Sequence, residues 1–143
     1  MMNSLDKAIE IALRAHKGQE DKAGKPYILH PLRVMNNLED EIEMVAAVLH
    51  DVIEDSPISA KELKKEGIPD EAIEIVQCLT RSNAETYEEF IQRITYNKKA
   101  VNVKIKDLED NMNFTRLQSI QQKDLDRMSK YHKALILLKK QKQ

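Results

Sequence analysis

Apolar positions along the 143-residue chain recur every three to four residues and hardly ever alternate, so the pattern predicts helices throughout and an all-α domain. Leu5, Ile9, Ala12, Leu13 and His16 share one face of a first helix, with Asn3 or Ser4 as its N-cap. A second helix opens at His30-Pro31, because proline suits the first turn, and runs through Val34, Met35 and Leu38. Residues 41–54 form a third, with a stripe of Val45, Val48, Leu49 and Val52 that ends before Pro57. Ser59 caps a short helix ending at Gly67, and Asp70 after Pro69 caps one through Ile73, Val76 and Leu79. Thr86 and Glu89 read as a capping box for a helix through Phe90, Ile91 and Ile94 that ends near Asn97. Residues 99–113 would bury Val101, Ile105, Leu108 and Met112, and residues 124–140 would bury Leu125, Met128, Leu135 and Leu138. The expectation is a single compact bundle of about seven to eight helices over residues 1–143, without repeats or linkers.

Composition narrows the function. Net charge is only −1, so no overall basic field invites nucleic acid. Residues 39–74 carry twelve acidic against three basic residues, a zone suited to a cation. Residues 121–143 carry seven basic against two acidic, which reads as a solvated helix face. Cys78 is the only cysteine, excludes an internal disulfide and reads as a small core residue. The longest wholly apolar run, residues 44–49, is far short of the ~20 residues that cross a bilayer, and no signal-peptide core precedes it. A soluble cytoplasmic protein is expected.

Candidate chemistry concentrates at His50, Asp51, Glu54 and Asp55. On a helix, residues three and four apart share a face, so these four polar groups crowd one patch. Three carboxylates beside an apolar run repel one another, and a bound cation is the simplest relief. A lone helical histidine is more often a satisfied structural residue, so the combination matters. His30 stands at a helix start, and Lys104, Asp107 and Asn111 form a polar row beside the apolar face of the 99–113 helix. Histidine and carboxylate ligands suit divalent manganese, iron, cobalt or zinc.

The order His30-Pro31, His50-Asp51 and Asp107 resembles the HD phosphohydrolase superfamily. The strings Ala-His-Lys-Gly-Gln (15–19), Gly-Lys-Pro-Tyr-Ile-Leu-His-Pro (24–31), Leu-His-Asp-Val-Ile-Glu-Asp (49–55) and Val-Lys-Ile-Lys-Asp-Leu-Glu-Asp-Asn (103–111) resemble the hydrolase domain of Rel/Spo-type alarmone enzymes, above all the small stand-alone members. The similarity runs from about residue 5 to about residue 118. It implies an HD-type bundle that removes the 3′-pyrophosphate of guanosine tetraphosphate or pentaphosphate. It further implies one metal, usually manganese with iron, cobalt, zinc or nickel as alternatives, on His30, His50, Asp51 and Asp107. Glu54 and Asp55 match the acidic pair that handles the attacking water and leaving group, and Asn111 matches an asparagine at the nucleotide. The implied partner is a small nucleotide, with no nucleic acid or membrane, and either a monomer or a homodimer.

Other side chains are candidates for the substrate: Lys22, Lys25 and Lys104 for phosphates, and Tyr27 for stacking on a base. His16 reads as a core hydrogen-bonding residue and His132 as structural. The resemblance departs where alarmone hydrolases carry Arg-Lys-Ser before the first histidine, since Asp21, Lys22 and Ala23 stand there. The change reverses a charge and removes a planar stacking group. Asn113 and Phe114 likewise replace an expected Arg-Thr. A nucleotidase or phosphodiesterase acting on another nucleotide, and a nucleotide-sensing module without turnover, remain open alternatives, as does a helical interaction domain with coincidental ligands.

Overall fold

A helix can be apolar on every side only if neighbours cover all of it. The helix over Glu41–Leu49 meets that condition: Val45, Ala46, Ala47, Val48 and Leu49 are all completely buried. It is α3 in a computed structural model that describes residues 3–142; residues 1, 2 and 143 of the expected span lie outside it. Around it pack α1 (Ser4–Ala15), α2 (Leu29–Asn36), α6 (Asp70–Cys78) and α8 (Lys98–Asn111). A second tier follows, with α5 (Ala60–Lys65) on α6, and α7 (Tyr87–Ile94) and α9 (Gln122–Lys142) on α8.

Among the described residues these elements and α4 (Val52–Asp55) make nine α-helices, with a 3-10 turn at Phe114–Arg116. Eight remain if α4 is taken as a continuation of α3, in line with the expected all-α bundle. The caps account for the boundaries. Asn3 accepts from the Asp6 N–H, and both capping boxes, Ser59 with Glu62 and Thr86 with Glu89, are formed. Each such cap is worth about 1 kcal/mol.

Several expectations need correction. Leu13 is 51% exposed because the buried stripe of α1 is Ala8, Ile11 and Ala12, and Leu13 lies a further 100° round the helix. Leu125 is 49% exposed for the same reason: the buried line of α9 passes through Asp124, Ala134, Leu135 and Leu138. His132, read as structural, is exposed. Cys78 is half-buried at the end of α6, not a core residue, and burial pushes its thiol up. Pro69 takes the cap position expected of Asp70, and Asn97 opens α8 by accepting from the Ala100 N–H instead of closing α7.

Candidate metal centre between two hollows

The third helix was expected to run unbroken through residues 41–54, but it breaks at His50 and Asp51. In a regular helix the Ala47 carbonyl would accept from the Asp51 N–H. Here the His50 ring takes that place, with its Nδ1 2.6 Å from the Ala47 oxygen, and the His50 N–H shares the same acceptor at 3.4 Å. The side chain therefore ends its own helix. α4 starts at Val52, and the break turns His50 and Asp51 toward α8.

A carbonyl only accepts, so His50 Nδ1 carries a proton, and in the neutral ring Nε2 presents a lone pair. That Nε2 lies 3.1 Å from Asp51 Oδ2 and 3.2 Å from Asp107 Oδ1. His30, buried in the first turn of α2, repeats the arrangement: Nε2 is 2.9 Å from Asp107 Oδ1, while Nδ1 is 2.7 Å from Asp110 Oδ2. Two lone pairs aimed at the same carboxylate oxygen require positive charge between them, either protons on the rings or a cation.

Without a metal, protons supply that charge. Burial opposes protonation of His50, yet Asp51 and Asp107 outweigh it and raise its pKa well above the usual value. His30 is raised against burial by its bonds to Asp107 and Asp110. The carboxylates respond in the opposite sense. Burial would raise Asp51, but His50 holds it at about 2, and Lys104 with His50 holds Asp107 well below the carboxylate range.

A divalent cation satisfies the same atoms. One donor atom from each of His30, His50 and Asp107 lies within 4.8 Å of the other two, and all three residues are buried. Asp51 stands beside them rather than within that group, and its Oδ2 also accepts from the Tyr27 hydroxyl at 2.5 Å. Imidazole with carboxylate suits first-row divalent metals. The Nδ1 bonds to Ala47 and Asp110 are the outer contacts that orient metal-binding histidines. The donor set thus fits a divalent metal.

The other expected residues distribute unevenly. Glu54 is on the cleft wall, its Oε1 accepting from the Arg81 N–H at 3.1 Å. Asp55 is exposed and off that wall; burial first, then Asp51 and Glu54, raise its carboxyl above the usual value. Lys104 donates to Asp107 Oδ2 at 2.8 Å and Asn111 to Asp107 Oδ1 at 3.1 Å, so both touch the centre itself. Burial works against the Lys104 charge, but Asp107 overrides it and keeps the ammonium above its usual range. Tyr27 lies with its ring 4.9 Å from that of His16 and 5.7 Å from that of His30, and its bond to Asp51 holds it beside the centre. His16 is buried and pairs with Gln19 at 2.8 Å, the core role expected of it, and Gln19 in turn donates to the Asp55 carbonyl. Lys22 borders the cleft, with burial and then Arg127 lowering its pKa, whereas Lys25 is exposed and away from the cleft lining.

Two hollows open beside the centre and share Tyr27, Asn111 and Tyr131. The larger, about 400 Å³, is bordered by Lys22, Arg33, Arg116 and Arg127 together with Phe114 and Leu117. The smaller, about 200 Å³, is bordered by Glu54, Arg81, Tyr87, Lys104 and Lys130. Asp110 is the most consequential residue missing from the sequence-based set: besides His30, Arg33 grips it through Nε at 2.8 Å and through a second guanidinium nitrogen at 3.1 Å. Its signal in the sequence is faint, a carboxylate three residues beyond Asp107 on the same helix face.

Comparison with known proteins accords with this geometry. A family model for the HD domain matches residues 8–129. The chain is 30% identical over 142 residues to the guanosine-3′,5′-bis(diphosphate) 3′-pyrophosphohydrolase of Borreliella burgdorferi, covering 89% of this chain and 21% of that one. It is 35% identical over 116 residues to the protein of the same name from Haemophilus influenzae, covering 71% of this chain and 17% of that one. With the bifunctional (p)ppGpp synthase/hydrolase SpoT of Escherichia coli it shares 30% over 123 residues, 76% of this chain and 17% of that one. The chain thus spans about a fifth of the length of these relatives. Among solved structures, that of a metazoan ortholog of SpoT that hydrolyses ppGpp matches with a TM-score of 0.76 at 21% identity, over 96% of this chain and 86% of that one, a likeness of fold. The family match covers most of the helical bundle and all of the buried His and Asp donors, and the chain belongs to the HD-domain family.

Proposed function

We propose that the chain is a metal-dependent phosphohydrolase that removes the 3′-pyrophosphate of guanosine tetraphosphate or pentaphosphate, or of a closely related nucleotide. The observation that carries this reading is the convergence of His30 Nε2, His50 Nε2 and Asp107 Oδ1 at the junction of two hollows, each bordered by three or more lysine and arginine side chains. The names of the relatives support the substrate. His30, His50, Asp107 and Asp51 would hold the cation, manganese by resemblance, and when bound it supplies Lewis acidity toward a phosphoryl oxygen and makes water more acidic.

The chain's own residues account for the rest. Hydrolysis forms a bond between the water oxygen and phosphorus and breaks the bond from phosphorus to the ribose oxygen, which leaves with a proton. Glu54 is on the wall of the smaller hollow with His50, Asp51 and Asp107, and takes the water proton. Asp55, next to Glu54 but off that wall, assists by resemblance in orienting the water or shuttling a proton. Lys104 and Asn111 hold Asp107 in place and face the phosphates. The partner is a small nucleotide, met in the cytoplasm by a monomer or homodimer. Among the described residues no helix is long and apolar enough to cross a membrane.

Purified protein supplied with manganese should release pyrophosphate from guanosine tetraphosphate, and chelation should stop it. His50→Ala, Asp51→Ala and Glu54→Ala should each be inactive. Wild-type and Glu54→Ala proteins turning over at equal rates would sink the mechanism. One observation favours a second reading, in which the same centre acts on another nucleotide. Asp21 Oδ1 accepts from the Ala23 and Lys25 N–H groups, both at 2.9 Å, so its side chain is spent on the loop and presents no stacking plane to a base. Phosphate and pyrophosphate release from a panel of nucleotides separates the two.

A further inference from the structure

We propose that the smaller hollow is a binding site for the terminal phosphates of the substrate, and that the Tyr87 hydroxyl, beside Lys104, donates to a phosphate oxygen there. The inference rests on the phosphohydrolase reading above and adds to it a residue and a direction for the substrate.

Tyr87 is the first residue of α7, and its hydroxyl is sealed from solvent with no hydrogen-bond partner in the protein. Buried hydroxyls are nearly always paired, so an unpaired one on a cleft wall marks a place where a ligand atom or water belongs. The ring is held firmly. It stacks edge-on against Phe90 with centroids 6.2 Å apart, and the Arg81 guanidinium and Lys130 ammonium lie 5.8 Å and 4.6 Å from its centroid. A fixed ring points its hydroxyl in one direction, which suits a geometric rather than an adaptable contact.

The surroundings select an anion. Arg81, Lys104 and Lys130 border a space of about 200 Å³. Lys104 gives one N–H to Asp107 Oδ2, and an ammonium has three. Lys130 makes no ion pair among the described residues and rests on the faces of Tyr87 and Tyr131. Its pKa is lowered by burial and then by Arg81 and Lys104, cations that stand close to it. Burial raises the Tyr87 pKa, so the phenol keeps its proton and can donate. Asp107, Asp51 and Glu54 line the same space, and a metal held by the first two would offset their charge toward a phosphate.

The two hollows then divide the substrate. The smaller has the size for a diphosphate and, with a metal offsetting its carboxylates, the cations Arg81 and Lys130 to hold one, while the larger, with Phe114 and Leu117, has room for a nucleoside. The phosphorus attacked sits at their junction, beside His50 and Asp107.

Titration calorimetry tests this with inorganic pyrophosphate and, separately, guanosine 5′-monophosphate on manganese-loaded protein. Tyr87→Phe keeps the ring and removes only the hydroxyl. It should weaken pyrophosphate by about tenfold, the loss of one hydrogen bond to a charged group, and leave the monophosphate within about twofold. Lys130→Gln, at an exposed position that cannot upset the core, should weaken pyrophosphate several-fold and flatten its salt dependence. Equal pyrophosphate affinity in wild-type and Tyr87→Phe protein overturns the proposal, as does an equal loss for both probes or failure of the wild type to bind pyrophosphate. Tyr87-dependent pyrophosphate binding without turnover of guanosine tetraphosphate would leave this site standing and remove only the substrate named above.

Discussion

Asp110 Oδ2 and His30 Nδ1 stand 2.7 Å apart, on the side of the imidazole away from Asp107. Arg33 fixes that carboxylate through two nitrogens, and Arg116 donates to the Asp110 backbone carbonyl at 2.9 Å. Burial would raise the Asp110 pKa, but its bonds to His30 and Arg33 hold it at about 2, so it stays ionised across the working pH range. It therefore keeps the His30 proton on Nδ1 and leaves Nε2 for the centre.

Asp110→Ala should weaken metal binding by about 10- to 100-fold, the usual effect of deleting the outer partner of a metal-binding histidine. A chelator competition titration measures it directly, and circular dichroism should show an unchanged helical fold. Arg33→Met, which only loosens Asp110, should cause a smaller loss. Unaltered affinity in Asp110→Ala would mean that His30 needs no orientation from this side.

The pair formed by Lys104 and Asp107 predicts a non-additive stability effect. Asp107 is buried and Lys104 mostly so, the two groups lie 2.8 Å apart, and Phe90 lies under the ammonium at 5.3 Å from its ring centroid. In metal-free protein, Asp107→Ala leaves Lys104 buried without its carboxylate and should cost about 3–5 kcal/mol. Adding Lys104→Met removes the stranded charge and should recover most of that loss. Urea unfolding of the two single variants and the double variant gives the coupling energy; simple additivity would show that the pair is solvated in practice.

The periodicity of α3 and α8 was legible because a buried face must recur at helical spacing, and the grouping of His30, His50 and Asp107 was legible because polar side chains beside such faces are costly unless partnered. The break at His50 was not. It depends on a side chain outcompeting a backbone N–H for the Ala47 carbonyl, a contest that residue types alone do not decide. Leu13 and Leu125 failed for a related reason: an apolar residue one position off the stripe looks the same in sequence whether or not a neighbour covers it. Asp110 on α8, Tyr87 on α7 and Arg81 in the segment between α6 and α7 border the hollows only through tertiary packing.

The loop before α2 predicts an effect on substrate binding separate from chemistry. Gly24, with φ 78°, closes a turn in which the Asp21 N–H bonds the Lys25 carbonyl at 2.8 Å and the Asp21 carboxylate takes two further N–H groups. The turn presents Lys22 and Ala23 to the larger hollow. Asp21→Ala should loosen it and raise KM several-fold with kcat little changed, because no group at the centre moves. Asp21→Asn, which still accepts, should stay near wild type. A kcat loss equal to the KM rise would place the loop in the chemistry.

Glu85 and Arg93 predict how stability depends on pH. Arg93 donates to the two carboxylate oxygens at 2.8 and 3.1 Å and also to the Cys78 and Thr80 carbonyls, which ties α7 to the segment after α6. The Arg93 bonds, with the Ser82 N–H, hold Glu85 at about 2. A free glutamate titrates near 4.3, so the folded form binds its proton less readily than the unfolded chain. Stability from this contact is therefore complete above about pH 4.5 and fades as the pH falls toward 2. Glu85→Gln should melt below wild type at pH 7, and the gap should close on titration to pH 2. The same segment carries Arg81, whose N–H holds Glu54, so the variant should also turn over more slowly at pH 7. A melting gap that stays constant from pH 7 to pH 2 would show that the Glu85 charge does not support the fold, and an unchanged rate would show that Glu54 needs no such anchor.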